Sequence, residues 1–493
     1  RLGDARLELA RDAPATLDKQ DRNRLVERSV VHRTGRSRAR DVADGKARQT
    51  VHRRKPLYFT ICASNYLHFA ITLGNSLRAA DPAADFIIFL ADEPGEPSRR
   101  AAERFSIIPC RQIGIAGYDD MAFKYSILEF NTAMKPFCFD HAFDVLNYGS
   151  AIYLDPDIDV LRPLDDVETA LAEGAACVLT PHATAPVLDG KKPDDYSFLA
   201  CGGFNLGFVA LNSSPEARSF NRWWGDKLRL DCFVDLKRGV FVDQKYLDLA
   251  PSFIDRLKVL RHPGYNVAYW NLVQREITET DGACFANGEP LHFIHFSGVN
   301  LSDRECFSRH QSRYSRATLP GDFRRMFDDY FDRLTLNDIG ARDHDRYSAA
   351  PYAHDRFSNG DAITPILRST YNRYRDRALA GGNPFDFDPA FFLARCDSVP
   401  VFAGVRVSRL LYDIWMERPD LQKLFDVGTR LGQVALARWA TVTLAREYRV
   451  PEVLIEPAPD WPGPHPAPAF RPIDDLLSQA LTSRSFMLKS FLR

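Results

Sequence analysis

Ala151-Ile152-Tyr153-Leu154-Asp155-Pro156-Asp157-Ile158-Asp159-Val160 is the stretch whose reading decides the fold. Ala151 to Leu154 is a short apolar run that reads as a buried strand, and it ends abruptly in three alternating carboxylates. A strand that delivers Asp155 and Asp157 at its C-terminal edge puts acid where open α/β sheets bind ligands, in the crevice beyond the strand ends. Two carboxylates this close repel each other and lose solvation. A divalent cation removes that cost, and a nucleotide diphosphate supplies the remaining oxygen ligands. The alternative is a solvated acidic turn that merely closes a strand. Asp159 reads as a group behind the site or a strand-end cap.

Upstream, Leu57-Tyr58-Phe59-Thr60-Ile61-Cys62-Ala63 is an uncharged strand. Asn65 to Ala80 follows with helical spacing at Leu67, Ala70, Leu73 and Leu77, and Asp81-Pro82 stops it. Phe86 to Leu90 is a second apolar strand. Strand, helix and strand, with apolar strands, predict a βαβ unit and a parallel sheet. Phe105 to Pro109 predicts a further strand, and Met121–Asn131 and Lys135–Leu146 predict helices.

Downstream, Ala175 to His182 repeats the strand-then-polar pattern. The loop Ala183–Asp195, rich in Pro, Asp and Lys, is a candidate lid or acceptor contact. Cys201 to Asn212 begins with two glycines, which let a backbone approach a ligand closely, and continues as a strand. Pro215 to Leu228 is a helix whose Trp223 and Trp224 read as core. Phe241 opens a short helix toward Leu249. His262 to Asn271 is turn-rich, and Leu291 to Asn300 is a strand ending in a glycine loop.

From 311 the chain turns helical. Phe323, Phe327, Phe331 and Leu334 mark one helix. Residues 340–361 are polar and read as a loose connection. Ile363–Leu379, Pro389–Cys396, Ser408–Glu417, Asp420–Phe425 and Leu431–Tyr448 have helical spacing. Prolines crowd 457–469, and Ile473–Phe491 has the pattern of a terminal amphipathic helix. The expected organisation is a basic flexible arm (1–55), an α/β domain with helices on both faces of a mostly parallel sheet (56–310), an all-α domain (311–455), and a Pro-rich linker with a C-terminal helix (456–493).

Composition narrows the function. The 493 residues carry a net charge of −1, so nothing global recruits nucleic acid. The arm holds 16 Lys+Arg against 8 Asp+Glu, a solvated tail or a contact for anionic lipid. Nine scattered cysteines with no CxxC pair suit reduced, buried thiols rather than a disulfide framework or a zinc site. No run of 18 apolar residues and no apolar signal core appear. The expected location is cytoplasmic, with peripheral contact at the inner face of the plasma membrane.

Five motifs in order carry a resemblance across 56–310. They are Tyr153-Leu154-Asp155-Pro156-Asp157, Phe204-Asn205-Leu206-Gly207-Phe208, Asp243-Gln244, Pro263-Gly264-Tyr265-Asn266 and His295-Phe296-Ser297-Gly298. Together they resemble the nucleotide-sugar glycosyltransferases of the GT-A fold, nearest the retaining family 8 type found in bacterial surface-polysaccharide synthesis. The resemblance implies that Asp155, Asp157 and His295 hold Mn²⁺ or Mg²⁺. It implies donor binding by Thr60, Ala63, Asn65, Lys135, Asp155, Asp157, Gly203, Asn266 and Gly298. It places Asn205, Asp243 and Gln244 around the transferred sugar, with Gln244 near the anomeric carbon. The implied reaction moves a sugar from a nucleotide diphosphate, UDP favoured and GDP possible, to a glycan, lipid-linked glycan or protein hydroxyl. The family's Lys-Pro-Trp run after the HFxG loop is replaced here by Val299-Asn300-Leu301-Ser302. Arg304, Arg309 or His310 then stand in as phosphate clamp.

Three other classes compete. A non-catalytic nucleotide-sugar or carbohydrate-binding module would keep the pocket and shed the metal ligands. A nucleotidyltransferase needs a Gly- and Lys-rich loop after the first strand, where Ala63-Ser64-Asn65-Tyr66 stands. A scaffold would act through its helical half.

Overall fold

Leu57–Cys62 buries all six of its side chains. A strand does that only when both faces of its sheet are covered. A computed structural model, describing residues 55–339, 345–378 and 382–460, places this strand, β1 (Leu57–Cys62), inside a seven-stranded sheet. The basic arm up to residue 54 and the expected terminal helix lie outside the described residues.

The sheet uses β2 (Asp85–Leu90), β3 (Ser106–Pro109), β4 (Ser150–Leu154), β6 (Cys177–Pro181), β7 (Phe204–Asn212) and β8 (Leu257–Val259), while β5 (Ile158–Val160) lies outside it. The order is β8-β6-β7-β4-β1-β2-β3. β1 runs parallel to β2 and β4, β2 to β3, and β8 to β6. β7 runs antiparallel to both neighbours. The fold is therefore mixed α/β with a mostly parallel sheet. Alternate residues of β1 face opposite helix layers. Phe59 meets Phe139 of α2 (Lys135–Asp144) edge-on at 4.9 Å. Tyr58 shares the other core with Leu73 and Leu77 of α1 (Leu67–Ala80) and Leu171 of α3 (Asp165–Ala172).

Two readings change. The single helix expected over Met121–Asn131 is two, Tyr118–Lys124 and Ile127–Ala133. Tyr125 is extended and Ser126 caps the second helix: its hydroxyl takes the Glu129 amide while Glu129 takes the Ser126 amide. That reciprocal cap satisfies two orphan donors and outweighs apolar periodicity across the break. The loose connection expected over 340–361 is also revised, for its described part. Tyr347–Ala349 and Ala353–Asp355 are 3-10 turns, and the Ala353 amide donates to buried Asp92 at 3.0 Å.

The aromatic row of α4 (Gly321–Asp338) packs back onto the sheet body. Phe296 stacks on Tyr330 at 4.2 Å, and Phe307 meets Phe323 and Phe327 edge-on. The chain on the two sides of residue 310 thus shares one core, and the described residues cluster as one unit. Pro365–Ala378, Pro389–Leu393, Arg409–Glu417, Pro419–Leu424 and Arg430–Glu447 realise the helical spacings read downstream. Among the described residues no helix is long and apolar enough to cross a membrane.

Candidate active site

β4 ends at Leu154; the Asp155 amide still donates to the carbonyl of Gly207 on β7, at 2.7 Å, and Pro156, which has no amide hydrogen, cannot extend the ladder. Pro156 and Asp157 make the bend, and β5 leaves in a new direction. β5 pairs antiparallel with β9 (Phe293–His295), placing His295 opposite Ile158, and the Phe296 amide donates to the Asp157 carbonyl at 2.9 Å. This two-stranded ribbon carries an imidazole from far along the chain to the two acids. Asp155, Asp157 and His295 offer ligand atoms within 4.8 Å of one another.

His295 Nε2 lies 2.9 Å from Asp157 Oδ1 and 3.6 Å from Asp155 Oδ2. Yet His295 Nε2 and Asp157 Oδ1 are buried with no well-formed hydrogen bond. On its other edge, His295 Nδ1 faces Asn205 Oδ1 at 3.2 Å. The same oxygen accepts from the Asn266 amide group at 3.1 Å and the Gly207 backbone at 3.1 Å. Surrounded by donors, it takes the ring proton from Nδ1 and leaves the Nε2 lone pair facing the carboxylates, the arrangement a ligating histidine needs. Two carboxylates and one neutral imidazole suit Mn²⁺ or Mg²⁺. Two carboxylates converging on one buried ring edge, and the tautomer Asn205 favours, both fit such an ion. Burial alone would depress the His295 pKa. The carboxylates of Asp157 and Asp155 outweigh it and hold the pKa above the ordinary imidazole value.

Lys135, the first residue of α2, is buried rather than solvated. Its ammonium donates to Asp243 at 2.7 Å and to the Leu206 carbonyl at 2.8 Å, and lies 3.9 Å from Asp155. Burial pushes the Asp243 carboxyl up to about 6 against the pull of Lys135. Gln244 fixes two backbones: its amide nitrogen donates to the Cys201 carbonyl at 2.9 Å and its oxygen accepts from Leu206 at 3.1 Å. Asn266 adopts φ +53°, a left-handed conformation that Asn tolerates, and donates to Thr180 and Asn205. Thr60, Ala63 and Asn65 gather at the end of β1, where Thr60 Oγ1 and Asn65 Oδ1 are buried without partners. Gly203 is exposed and its amide donates to Asp248 at 2.8 Å. Gly298, at φ +83°, packs against Ser308 and His310.

Other expectations resolve by contact. Asp159 neither caps the strand nor stands behind the acids. It is ion-paired to Arg333 of α4 at 2.6 Å, because β5 turns its middle residue away from the site. Of the three clamp candidates, Arg304 is engaged by Asp328 and Asp332 of α4. Arg309 stands beside the Tyr66 hydroxyl, near Asp157. Trp224 is core, its indole donating to the Asp243 carbonyl, while Trp223 is half-buried against Phe220 and Phe253. The loop 183–195 is tied down: Arg313 grips Asp189 through two nitrogens and also reaches the Pro193 carbonyl.

Four further residues belong here. The Tyr153 hydroxyl donates to Asp155, and the Trp270 ring meets His295 edge-on at 5.1 Å. Asn271 donates to the carbonyls of His182 and Asn266. Gly207 makes room for the imidazole: a Cβ there would stand 2.2 Å from His295 Cε1. The FNxG pattern held the signal for Gly207, since a glycine inside a strand marks close approach. Nothing local marks Asn271 or Trp270.

No family model matches the sequence. A curated relative, the uncharacterized protein YfnD of Bacillus subtilis (strain 168), is 31% identical over 113 residues. The match spans 22% of this chain and 35% of that protein, about a third of its length. Among solved structures, the galactosyltransferase LgtC, in complex with donor and acceptor sugar analogs, superposes with a TM-score of 0.35 at 14% identity. That alignment covers 56% of this chain and 96% of LgtC. The glycosyltransferase GlyE of Streptococcus pneumoniae TIGR4 gives 0.32 at 17% identity, over 62% and 67% of the two chains. Mouse xyloside xylosyltransferase 1 gives 0.29 at 13% identity, over 49% and 97%.

Proposed function

We propose that the chain is an enzyme, a metal-dependent glycosyltransferase that moves a sugar from a nucleotide-diphosphate donor to a hydroxyl acceptor. The observation that carries this reading is His295 with Nδ1 on Asn205 and Nε2 turned to both Asp155 and Asp157. Those three residues would hold Mn²⁺ or Mg²⁺. A bound divalent ion supplies Lewis-acid stabilisation of the charge that grows on the leaving diphosphate.

The chain's own groups divide the remaining work. Thr60, Ala63 and Asn65 receive the base and ribose, with the unpartnered Thr60 hydroxyl and Asn65 carbonyl as polar contacts. UDP is the favoured nucleotide and GDP the other candidate. Arg309 is the nearest replacement for the missing phosphate-gripping lysine. Asp243 takes sugar hydroxyls while Lys135 holds its charge in place. Gln244 and Asn205 line the floor beneath the sugar, fixed by their hydrogen bonds to each other, to Leu206 and to Gly207. A pocket fixed before substrate arrives converts a two-body encounter into a positioned one. Gly203, Asn266 and Gly298 shape the walls.

Retention of configuration is favoured on the resemblance of the five motifs to the retaining family. Asp243 is ion-paired to Lys135 and so a poor nucleophile, which fits a same-face rather than a double-displacement route to retention. The acceptor is a glycan, lipid-linked glycan or protein, and surface-polysaccharide synthesis at the inner face of the membrane is the proposed setting. The test is turnover of a panel of UDP- and GDP-sugars with and without Mn²⁺, with proton NMR of the first-formed product. Metal-dependent release of nucleoside diphosphate with a retained anomeric centre is expected. No turnover and no binding across the panel would reject the assignment, and an inverted centre would reject retention.

A further inference from the structure

Away from the active site, three more metal-type side chains converge. Asp166, His262 and His292 offer ligand atoms all within 4.8 Å of one another. We propose that they form a second divalent-cation site, selective for Zn²⁺ over Mn²⁺ or Mg²⁺. It stands independently of the glycosyltransferase reading.

Three elements meet there. Asp166 lies in the first turn of α3. His262 opens the turn that carries Gly264 and Tyr265. His292 leads directly into β9. Its amide donates to the Gly264 carbonyl at 2.8 Å, and its own carbonyl accepts from Leu161 at 2.8 Å. The turn lies flat on the strand beside it: a Cβ on Gly264 would stand 1.8 Å from the Pro290 carbonyl oxygen. The two imidazoles are therefore placed by backbone, with ring centroids 5.5 Å apart.

The hydrogen bonds prepare His292 as a ligand. Its Nδ1 lies 2.7 Å from the Pro163 carbonyl, which can only accept. Nδ1 therefore holds the proton, and the Nε2 lone pair is left 3.9 Å from Asp166 Oδ2. His262 Nε2 lies 3.8 Å from Glu289, and its Nδ1 accepts from the Gly264 amide at 3.1 Å. Metal binding by His262 exchanges that hydrogen bond for the metal bond.

A second observation points the same way. Tyr265 is 1% exposed and stacks on His292 at 4.3 Å. Its hydroxyl faces Asp166, whose carboxylate is thereby held on the same side as the two rings. Two imidazoles and one carboxylate make a softer donor set than the active site's two carboxylates and one imidazole. Such a set binds Zn²⁺ above Mn²⁺. His292 and His295 are three residues apart, about 10 Å along an extended strand. An ion on His292 would pin α3 and the 262–265 turn to the ribbon that presents His295.

The test uses the full chain with the active site disabled by Asp157→Asn and His295→Gln, titrated with Zn²⁺ and Mn²⁺ by calorimetry and thermal shift. One Zn²⁺ per chain and a raised melting temperature are expected, with no response to Mn²⁺. Adding Asp166→Asn and His262→Gln, at partly exposed side chains, should weaken Zn²⁺ at least about tenfold. In the unmutated chain, imidazole NMR signals of His262 and His292 should shift on Zn²⁺ addition. The proposal is overturned if Zn²⁺ does not bind the disabled chain, if the added substitutions leave its affinity unchanged, or if other histidines shift instead.

Discussion

The Lys135 ammonium sits 2.7 Å from the Asp243 carboxylate, and both side chains are 2% exposed. Neither charge reaches water, so each depends on the other. Lys135→Met should destabilise the fold by about 3–5 kcal/mol by stranding a buried carboxylate. The double variant Lys135→Met/Asp243→Asn should recover part of that loss. Urea unfolding of the two variants decides the point, and equal loss in both would mean that packing rather than charge pairing dominates.

Two site groups should lose stabilising effect as pH rises from about 4 toward neutrality, against the opposite trend of His68, His182, His310 and His354, whose values burial lowers to about 4. The two site groups act in the same direction. Asp243 ionises at about 6 in the fold, while an unfolded Asp ionises near ~3.9, so the unfolded chain gives up this proton first. His295 has a raised pKa, so its protonated ring stabilises the fold below the ordinary imidazole value, ~6.5, and that contribution is lost as pH rises through the folded value. Thermal melts across pH of the chain and of its Asp243→Asn and His295→Gln variants isolate these two contributions by difference.

Cation binding should show the opposite trend. Mn²⁺ needs the neutral His295 ring, so proton and ion compete for Nε2. The Mn²⁺-induced rise in melting temperature should be small in acid and grow as pH climbs through the His295 pKa. A pH-independent rise would place the ion elsewhere.

Asp157→Asn should leave the fold intact, because it removes one of two repelling carboxylates. It should abolish the Mn²⁺-dependent melting shift and lower turnover by about a thousandfold, the upper range for one lost electrostatic contact. Thermal shift with UDP-sugar and Mn²⁺ checks the first effect, and diphosphate release the second.

Gly207→Ala tests the close approach within β7. The added methyl meets His295 Cε1 at 2.2 Å, His295 Nδ1 at 2.6 Å and Asn205 Oδ1 at 2.9 Å. An overpacked strand typically loses about 1–3 kcal/mol. Here the displaced group is the imidazole, so the Mn²⁺ response should vanish even where the variant folds. A variant with normal Mn²⁺ response would separate His295 from the ion.

Much of the scaffold was legible in the chain. An uncharged run such as Leu57–Cys62 has few options beside a doubly covered strand, and the acids after Leu154 had to sit at its edge. Helical periodicity located α1, α2 and α4 and the helices after residue 363. It failed at Tyr125-Ser126, where a cap broke a continuous apolar pattern. It also misjudged 345–361, whose backbone is held by tertiary partners such as Asp92, the acceptor of the Ala353 amide.

The sequence by itself determined which residues are candidates for chemistry: Asp155 and Asp157 at a strand end, Asn205 and Gly207 in one motif, and His295 in another. Only the tertiary structure decided how they meet. The pairing of β5 with β9 brings His295 to Asp157, and Asn205 then selects its tautomer. Tertiary packing also turned Asp159 to Arg333, buried Lys135 beside Asp243, and gathered Asp166, His262 and His292 from three elements. The reason is physical. Residue type and spacing set local backbone preference and burial. The partner of a buried charge is set by whichever strand or helix the fold lays across it, often more than a hundred residues away.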